Sequence, residues 1–214
     1  TGMNLDEAKT QWMDIIETEL NGGKITRVIV THQHPDHVGL AGFLCDELNV
    51  PLWMSEIEYF YTRTFAGGMA REERYWETDQ YLTRTCMAEA TKETMFSGKT
   101  NGFSEMVTEV PASYHRIADQ QVITIGDHQW VAITTRGHSP EHVCLYCKEL
   151  DILISGDQVL PIITSNVSVS PIQPESSPLV DWFLAHDKLK QQVSDSVLVL
   201  PSHQLPFKGL HERL

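Results

Sequence analysis

The sequence is poor in basic residues and has no long apolar run, and these two shortages exclude whole classes of function. Of its 214 residues, 16 are Lys or Arg and 29 are Asp or Glu, which gives a formal net charge of −13. The basic residues form no cluster that could follow a phosphate backbone, so we expect no nucleic-acid partner. No apolar stretch approaches the ~18 residues that a transmembrane helix needs, so we expect no membrane partner. The chain is interpreted as one soluble domain.

Cysteine is also scarce, with four residues and no spacing that indicates a disulfide framework. The sequence shows no signal peptide, which favours a reducing, cytoplasmic setting. Cys144 and Cys147 form a C-x-x-C pair, but a zinc knuckle needs a second pair of ligands that the sequence does not offer. Because residues 142–147 have the composition of a strand, we expect two half-buried thiols on opposite faces of that strand.

Helical and strand patterns alternate along the chain, which is typical of α/β layering. Asn4 and Glu7 fit a capping box at the start of a helix over 5–20. Further helices are predicted from Leu40 and from Ser177. Short runs rich in β-branched residues predict strands at 25–30, 50–54, 121–125, 130–135, 143–147, 152–155 and 197–200.

Residues 55–109 differ from the rest, because aromatic residues are set among charges and the pattern is helical. One interpretation is a pair of surface helices whose aromatic residues face the core. The other is a helical insertion that covers a site. Breaks in the pattern fall at Gly67-Gly68 and Ser97-Gly98. We treat 1–214 as one domain that includes a helical insertion at 55–109.

The run T-H-Q-H-P-D-H-V-G at 31–39 concentrates metal-binding side chains directly after a predicted strand. Imidazole nitrogens and carboxylate oxygens are ligands of zinc and other borderline divalent ions. Packing gives no reason to concentrate groups whose desolvation is costly. His32 and His34 are two residues apart and can bind one ion. Asp36 and His37 lie further round the turn and can bind a second.

Three more candidates each follow a predicted strand: His138, Asp157 and His203. Polar residues just beyond the carboxyl ends of strands, on separate loops, are how layered α/β folds build their sites. We therefore expect these side chains to complete the ligand set that the 31–39 run begins.

Four motifs in this order resemble those of the metallo-β-lactamase superfamily of binuclear metal hydrolases. They are T-H-Q-H-P-D-H at 31–37, G-H-S-P-E-H at 137–142, S-G-D-Q-V at 155–159 and P-S-H at 201–203. The resemblance implies the αββα sandwich of that superfamily, here in partial form. Thr1-Gly2 resembles the middle of an early D-T-G-like turn, and 206–213 resembles the start of a further helical segment. We therefore interpret the sequence as a fragment of a longer protein.

The resemblance also implies two divalent ions, zinc or alternatively iron or manganese, and seven ligands. One ion would be held by His32, His34 and His138. The other would be held by Asp36, His37 and His203. Asp157 would bridge the two, and Asp36 and Asp157 would be the catalytic residues.

The ligand types indicate which branch of the superfamily the chain resembles. Lactam-cleaving members commonly have Cys or Ser in place of Asp157, and a flavin-linked diiron branch has Glu in place of His34. A glyoxalase II-like hydrolase of a small-molecule thioester or related ester is the leading interpretation, with a metal-bridging hydroxide as nucleophile. Alternatives are a lactonase or phosphodiesterase of the same fold, a single-iron thiol-oxidising dioxygenase, and a non-catalytic metal-binding fragment. Covalent catalysis through Ser139 or Cys144 is disfavoured, since neither has a recognisable base beside it.

Several other polar residues receive weaker predictions. His142 is expected to have a structural role, because a strand there would carry it away from the ion. Asn166 and its serines are expected in a solvated loop. Four further histidines without motif context are expected at the surface: His115, His128, His186 and His211. The sequence does not indicate the oligomeric state.

Overall fold

The structure, a computed structural model, describes residues 1–66, 76–96 and 102–214. The predicted breaks at Gly67-Gly68 and Ser97-Gly98 lie outside these residues. The helices are α1 (Asp6–Thr18), α2 (Pro35–Val38), α3 (Ala41–Leu48), α4 (Glu56–Ala66), α5 (Trp76–Arg84), α6 (Glu89–Phe96), α7 (Phe103–Met106), α8 (Pro178–Gln192) and α9 (Leu210–Arg213). The strands are β1 (Val28–Ile29), β2 (Leu52–Met54), β3 (His115–Arg116), β4 (Val122–Ile125), β5 (His128–Thr135), β6 (His142–Cys147), β7 (Ile152–Gly156) and β8 (Leu198–Pro201).

The strands form two sheets. The first has the order β1-β2-β3 and is parallel, with Val28 opposite Leu52. The second has the order β4-β5-β6-β7-β8, in which neighbours are antiparallel except for the parallel pair β7 and β8. The sheets are joined where the Val143 N–H donates to the Thr31 carbonyl at 2.9 Å. This bond holds the start of β6 against Thr31, which lies two residues after the end of β1.

Helices cover the outer face of each sheet, so the predicted αββα sandwich is confirmed. Trp12 of α1 and Leu44 of α3 pack with β1 and β2 in one apolar cluster. Leu189 of α8 packs with β6, β7 and β8 in another. A third cluster lies between the sheets, where Ile29 and Trp53 contact residues of β4, β5 and β6.

Strand β6 is buried on both faces, and this corrects the prediction of half-buried thiols. Cys144 belongs to the cluster beneath α8, whereas Cys147 belongs to the cluster between the sheets. The two thiols therefore point to opposite faces, as predicted, but both are fully buried. The reason is that layers cover both faces of this central strand, so alternation along it does not separate core from solvent.

The start of α1 differs from the prediction. The helix begins at Asp6 with Leu5 at the N-cap, and no side chain caps it. The predicted capping box of Asn4 and Glu7 is therefore wrong, because Asn4 lies before the cap and its amide points to the Glu105 carbonyl at 3.4 Å.

The segment 55–109 is helical over most of its described residues, in α4 to α7. Within α4, Tyr59 is buried in the core of the first sheet, while Tyr61 and Phe65 line a cleft. The segment thus has features of both predicted interpretations, and its treatment as an insertion stays a prediction. In the described part of the chain, no helix combines the length and the apolar character that crossing a membrane requires.

Candidate metal centre

In the turn after β1, one proline determines where extended backbone ends and the helical turn begins. Pro35 occupies the first position of α2, where a missing N–H costs nothing. A residue before proline is driven to extended geometry, and His34 has φ −64° and ψ 146°. His34 therefore projects from extended backbone, while Asp36 and His37 lie on the following helical turn. The backbone N–H of Gly2 donates to the Asp36 carbonyl at 3.0 Å and braces this turn.

Three histidines from two distant loops converge in a first cluster. His32 Nε2 lies 3.1 Å from His34 Nδ1 and 3.1 Å from His138 Nε2. Tetrahedral zinc with Zn–N bonds of about 2.0–2.1 Å separates its ligand nitrogens by about 3.3 Å. The spacing of these three nitrogens therefore suits one common ion.

A second cluster contains Asp36, His37 and His203. Asp36 Oδ2 lies 3.2 Å from His37 Nε2 and 3.3 Å from His203 Nε2. Asp157, which follows β7, lies between the two clusters. Its Oδ2 is 3.3 Å from His37 Nε2, 3.4 Å from His203 Nε2 and 3.5 Å from His138 Nε2. All seven side chains predicted as ligands are thus brought together, with Asp157 in the position predicted for a bridge.

The protonation states suit metal binding. Burial lowers the pKa of His32 well below its ordinary value and that of His34 to about 4, so both rings are neutral at pH 7. Burial alone would raise the pKa of Asp157, but its hydrogen bond with His37 and its electrostatic interactions with His37, His138 and His203 lower it to about 2. Neutral imidazole and ionised carboxylate are the forms that bind metal.

Two polar atoms in the cluster support the same assignment. Among the described residues, buried Asp157 Oδ1 has no hydrogen-bond partner. Buried His37 Nε2 makes no aligned hydrogen bond there either, although carboxylate oxygens of Asp36 and Asp157 lie 3.2 and 3.3 Å away. Buried polar atoms without partners are costly and rare in folded proteins. Cations shared among these donors would satisfy them, so the residues present fit divalent metal ions.

Groups behind the cluster fix the orientation of two rings. His138 Nδ1 lies 2.9 Å from the Asn166 carbonyl and 2.9 Å from Ser165 Oγ, and His32 Nδ1 lies 3.0 Å from Thr31 Oγ1. These contacts leave Nε2 of each ring facing the cluster. Asn166 is exposed, as predicted for a solvated loop, but the same loop also supports His138 and lines the cleft.

His142 lies behind Asp157 and is fully buried. Its Nε2 accepts a hydrogen bond from the Asp157 N–H at 3.1 Å, which agrees with the structural role expected from the sequence. Gly156 makes this approach possible. It has φ +53°, and a Cβ at this position would lie only 2.3 Å from His142 Nε2.

A cleft of about 670 Å³ opens beside His34 and His138. Helix α4 lines one side with Ile57, Tyr61 and Phe65. The loop from Asn166 to the start of α8 lines the opposite side.

The two candidate protein nucleophiles are unsuitable, as expected. Ser139 donates its hydroxyl to the buried Glu58 carboxylate at 2.7 Å. Cys144 is fully buried, and this burial raises the pKa of its thiol to about 12. Glu58 itself was missed by the sequence analysis. It is one of two acidic residues in the first turn of α4, and nothing in the local sequence pattern indicates that it, rather than Glu56, is buried.

The histidines without motif context lie away from these clusters. His115 is exposed and stacks on Trp53, and His128 and His211 are partly exposed. His186 was expected at the surface, but it is buried against the Trp182 ring at 3.9 Å between centroids. The correction follows from its place on the face of α8 that packs on the second sheet.

Comparisons with known proteins agree with this geometry. A β-lactamase domain protein of Burkholderia ambifaria is 35% identical in sequence, with a TM-score of 0.80 over 99% of this chain and 57% of that one. A metallo-β-lactamase family protein of Thermus thermophilus is 22% identical, with a TM-score of 0.79 over 100% of this chain and 66% of that one. The latter likeness concerns the fold alone.

A curated relative gives a similar result. A probable metallo-hydrolase of Bacillus subtilis is 27% identical over 182 residues, which are 85% of this chain and 66% of the relative. The chain thus spans between half and two thirds of the length of these relatives. The sequence profile described as the metallo-β-lactamase superfamily matches residues 1–203. The chain therefore belongs to the metallo-β-lactamase superfamily.

Proposed function

We propose that this protein is a metal-dependent hydrolase that cleaves a small-molecule thioester or related ester with two divalent ions, zinc being the expected metal. The observation that carries the proposal is the position of Asp157. One oxygen of its carboxylate lies within 3.5 Å of nitrogens in both clusters, from His138 on one side and from His37 and His203 on the other. A single carboxylate that contacts both sets of ligands is the arrangement that a binuclear centre needs.

The ions, when bound, would lower the pKa of a coordinated water to about 7 and polarise the acyl oxygen of the substrate. The protein itself would hold the ions and orient the attacking water. Asp157 would keep the two half-sites at a constant separation. The Asp36 side chain is 44% exposed, so it would reach the attacking water, orient it and accept its proton.

The cleft favours a substrate with little negative charge. Among its described lining residues Arg136 is the one cation, while Glu175 and Asp181 are acidic. Glu175 is also paired with Arg84 at 3.1 Å. The aromatic rings of α4 supply an apolar wall for an acyl chain. This lining, with the net charge of −13, favours a neutral acyl thioester over a phosphodiester of nucleic acid.

The test is a panel of model substrates with metal analysis on the same preparation. Acyl thioesters of N-acetylcysteamine and of glutathione, a matched oxoester, a lactone and a phosphodiester are compared. Thiol release from the thioesters is followed with a disulfide reagent, and acid release from the other substrates is followed with a pH indicator. The expected result is thioester cleavage that a chelator abolishes and added zinc restores. About two ions per chain are expected, whereas a single iron with thiol oxidation would replace the proposal by the oxygenase alternative. Cleavage confined to the lactone or phosphodiester would overturn the thioester assignment.

Asp157→Ala is the decisive variant. It should reduce metal content and lower turnover at least a thousandfold, while circular dichroism stays close to that of the unmodified protein. Asp127→Asn is the matched control, since Asp127 is exposed in the turn at the opposite end of β5 from the His138 loop. Full metal content in Asp157→Ala would rule out the bridge.

A further inference from the structure

Glu58 lies beside the metal centre and is fully buried. Its carboxylate accepts three hydrogen bonds from two separate loops. Oε2 accepts the backbone N–H of Gln33 at 2.9 Å. Oε1 accepts the hydroxyl of Ser139 at 2.7 Å and the backbone N–H of Glu141 at 2.7 Å. Both oxygens of this side chain thus accept hydrogen bonds.

Two of the three donors are next to proposed metal-binding residues, and the third, Glu141, lies in the same loop as His138. Gln33 stands between His32 and His34, and Ser139 directly follows His138. Gln33 is 25 residues from Glu58 in sequence, and Ser139 is 81 residues from it. A single carboxylate therefore joins the two loops that supply the three histidines of the first cluster.

The loop that contains Glu141 makes further hydrogen bonds to the start of α4. Glu141 Oε2 accepts the backbone N–H of Ile57 at 2.9 Å, and the Ser55 hydroxyl donates to the Glu141 carbonyl at 2.6 Å. The start of α4 and the loop after His138 thus each supply a carboxylate that accepts a backbone N–H of the other. This reciprocal set of contacts fixes the loop against the helix in both position and orientation.

A buried carboxylate at this place needs a physical reason. Burial raises the pKa of Glu58 to about 7, although its hydrogen bonds oppose that shift. An apolar side chain would be less costly to bury, but it would leave the N–H groups of Gln33 and Glu141 without this partner. Carboxylate oxygens only accept, and here each donor they face belongs to a loop of the metal centre.

We propose that Glu58 is a positioning residue that sets the relative placement of His32, His34 and His138 and thereby the affinity of the site for its ion. The inference rests on the proposed metal centre and is independent of the proposed substrate. It assigns a role in site assembly to a helix that supplies none of the ligands.

The first test compares two Glu→Gln substitutions in the first turn of α4. Glu58→Gln keeps the shape of the side chain but replaces one accepting oxygen by a donating amide, which must face at least one donor. Glu56→Gln is the matched control, because Glu56 is partly exposed and pairs with Arg116 at 3.0 Å. Metal-free proteins are titrated with Co²⁺ and Zn²⁺ against a chromophoric chelator. Glu58→Gln should weaken the tighter site roughly 10- to 100-fold and change the visible Co²⁺ spectrum, while the control stays within about twofold.

The second test needs neither metal nor substrate. Hydrogen exchange of the metal-free protein should show faster exchange at the amides of Gln33 and Glu141 in Glu58→Gln, and unchanged exchange in the control. If Glu58→Gln does not fold by circular dichroism, Ser139→Ala removes one of the three donors and should weaken metal binding several-fold in the same direction.

The outcomes separate this inference from the proposed function. Wild-type metal affinity, Co²⁺ spectrum and amide protection in a folded Glu58→Gln, or in Ser139→Ala where that variant replaces it, would overturn the positioning role. Weakened metal binding in a protein whose wild type cleaves no thioester would support the positioning role and reject the substrate assignment.

Discussion

Replacement of Gly156 by alanine tests how closely the metal centre depends on one backbone position. Gly156 has φ +53°, and an added Cβ would lie 2.3 Å from His142 Nε2 and 2.6 Å from its Cε1. His142 is fully buried with its ring 4.9 Å from that of His32, so in a close-packed interior its ring cannot move without displacing its neighbours. The ring or the strand must therefore shift.

The destabilisation caused by Gly156→Ala has three parts. A left-handed backbone costs a non-glycine residue about 1–2 kcal/mol. Overpacking of a filled interior adds about 1–3 kcal/mol. Movement of His142 breaks its hydrogen bond from the Asp157 N–H, and an unpaired buried donor costs about 1–3 kcal/mol. We expect Gly156→Ala to lower the free energy of unfolding by about 3–8 kcal/mol.

Gly126→Ala is the matched control. Gly126 has φ +59°, but within the described residues no atom lies within 4 Å of the added Cβ. Only the backbone part of the destabilisation therefore applies, about 1–2 kcal/mol. Urea unfolding of both metal-free variants gives the comparison without any contribution from bound ions. Metal affinity of Gly156→Ala, where it folds, should fall at least about tenfold because Asp157 is displaced. Equal destabilisation of the two variants would refute the reasoning.

Three further predictions concern the chain's titratable and reactive groups. Cys86 is exposed, whereas Cys45 and Cys144 are buried with pKa values raised to about 11 and about 12, so iodoacetamide should label Cys86 in the native protein and the others only after unfolding; fast native labelling of Cys144 would contradict this burial. Burial lowers the pKa of His34 from 6.5 to about 4, so the unfolded chain binds more protons between these values and stability falls with acid. Through His34 alone, the unfolding free energy of the metal-free protein should fall by about 2 kcal/mol between pH 7.5 and pH 5, as measured by urea unfolding. An unfolding free energy that does not change over this range would contradict the prediction. Zinc at 100 times its dissociation constant should raise the unfolding free energy by about 2.7 kcal/mol per site. This appears as a higher Tm that a chelator reverses, and the shift should be smaller for Asp157→Ala.

Much of the candidate site could be predicted from the sequence because its ligands are marked locally. The run at 31–37 places four metal-binding side chains in one short turn, and Pro35 alone explains why His34 is extended and Asp36 helical. His138, Asp157 and His203 each follow a strand that its β-branched residues predict. Since strand ends at one edge of a sandwich lie close together, these positions predicted that the three side chains would meet at one site.

The same local information predicts most strands and the longer helices, but not how deeply each is covered. The composition of β6 indicates a strand, yet the full burial of Cys144 and Cys147 depends on layers packed on its two faces from other parts of the chain. His186 is a similar case, because a helix shows its periodicity in sequence but not what packs against each face. The predicted capping box failed because Asn4 and Glu7 have the right spacing one residue too early for the helix that forms.

What the sequence by itself determined is therefore the set of candidate ligands and the order of the strands and helices that carry them. The tertiary structure alone decided which groups hold those ligands in place. Glu58 bonds to residues 25 and 81 positions away, and His142 supports Asp157 only because Gly156 admits its ring. Such contacts leave no periodic or local signature, since they depend on packing between loops that meet only when both sheets have formed.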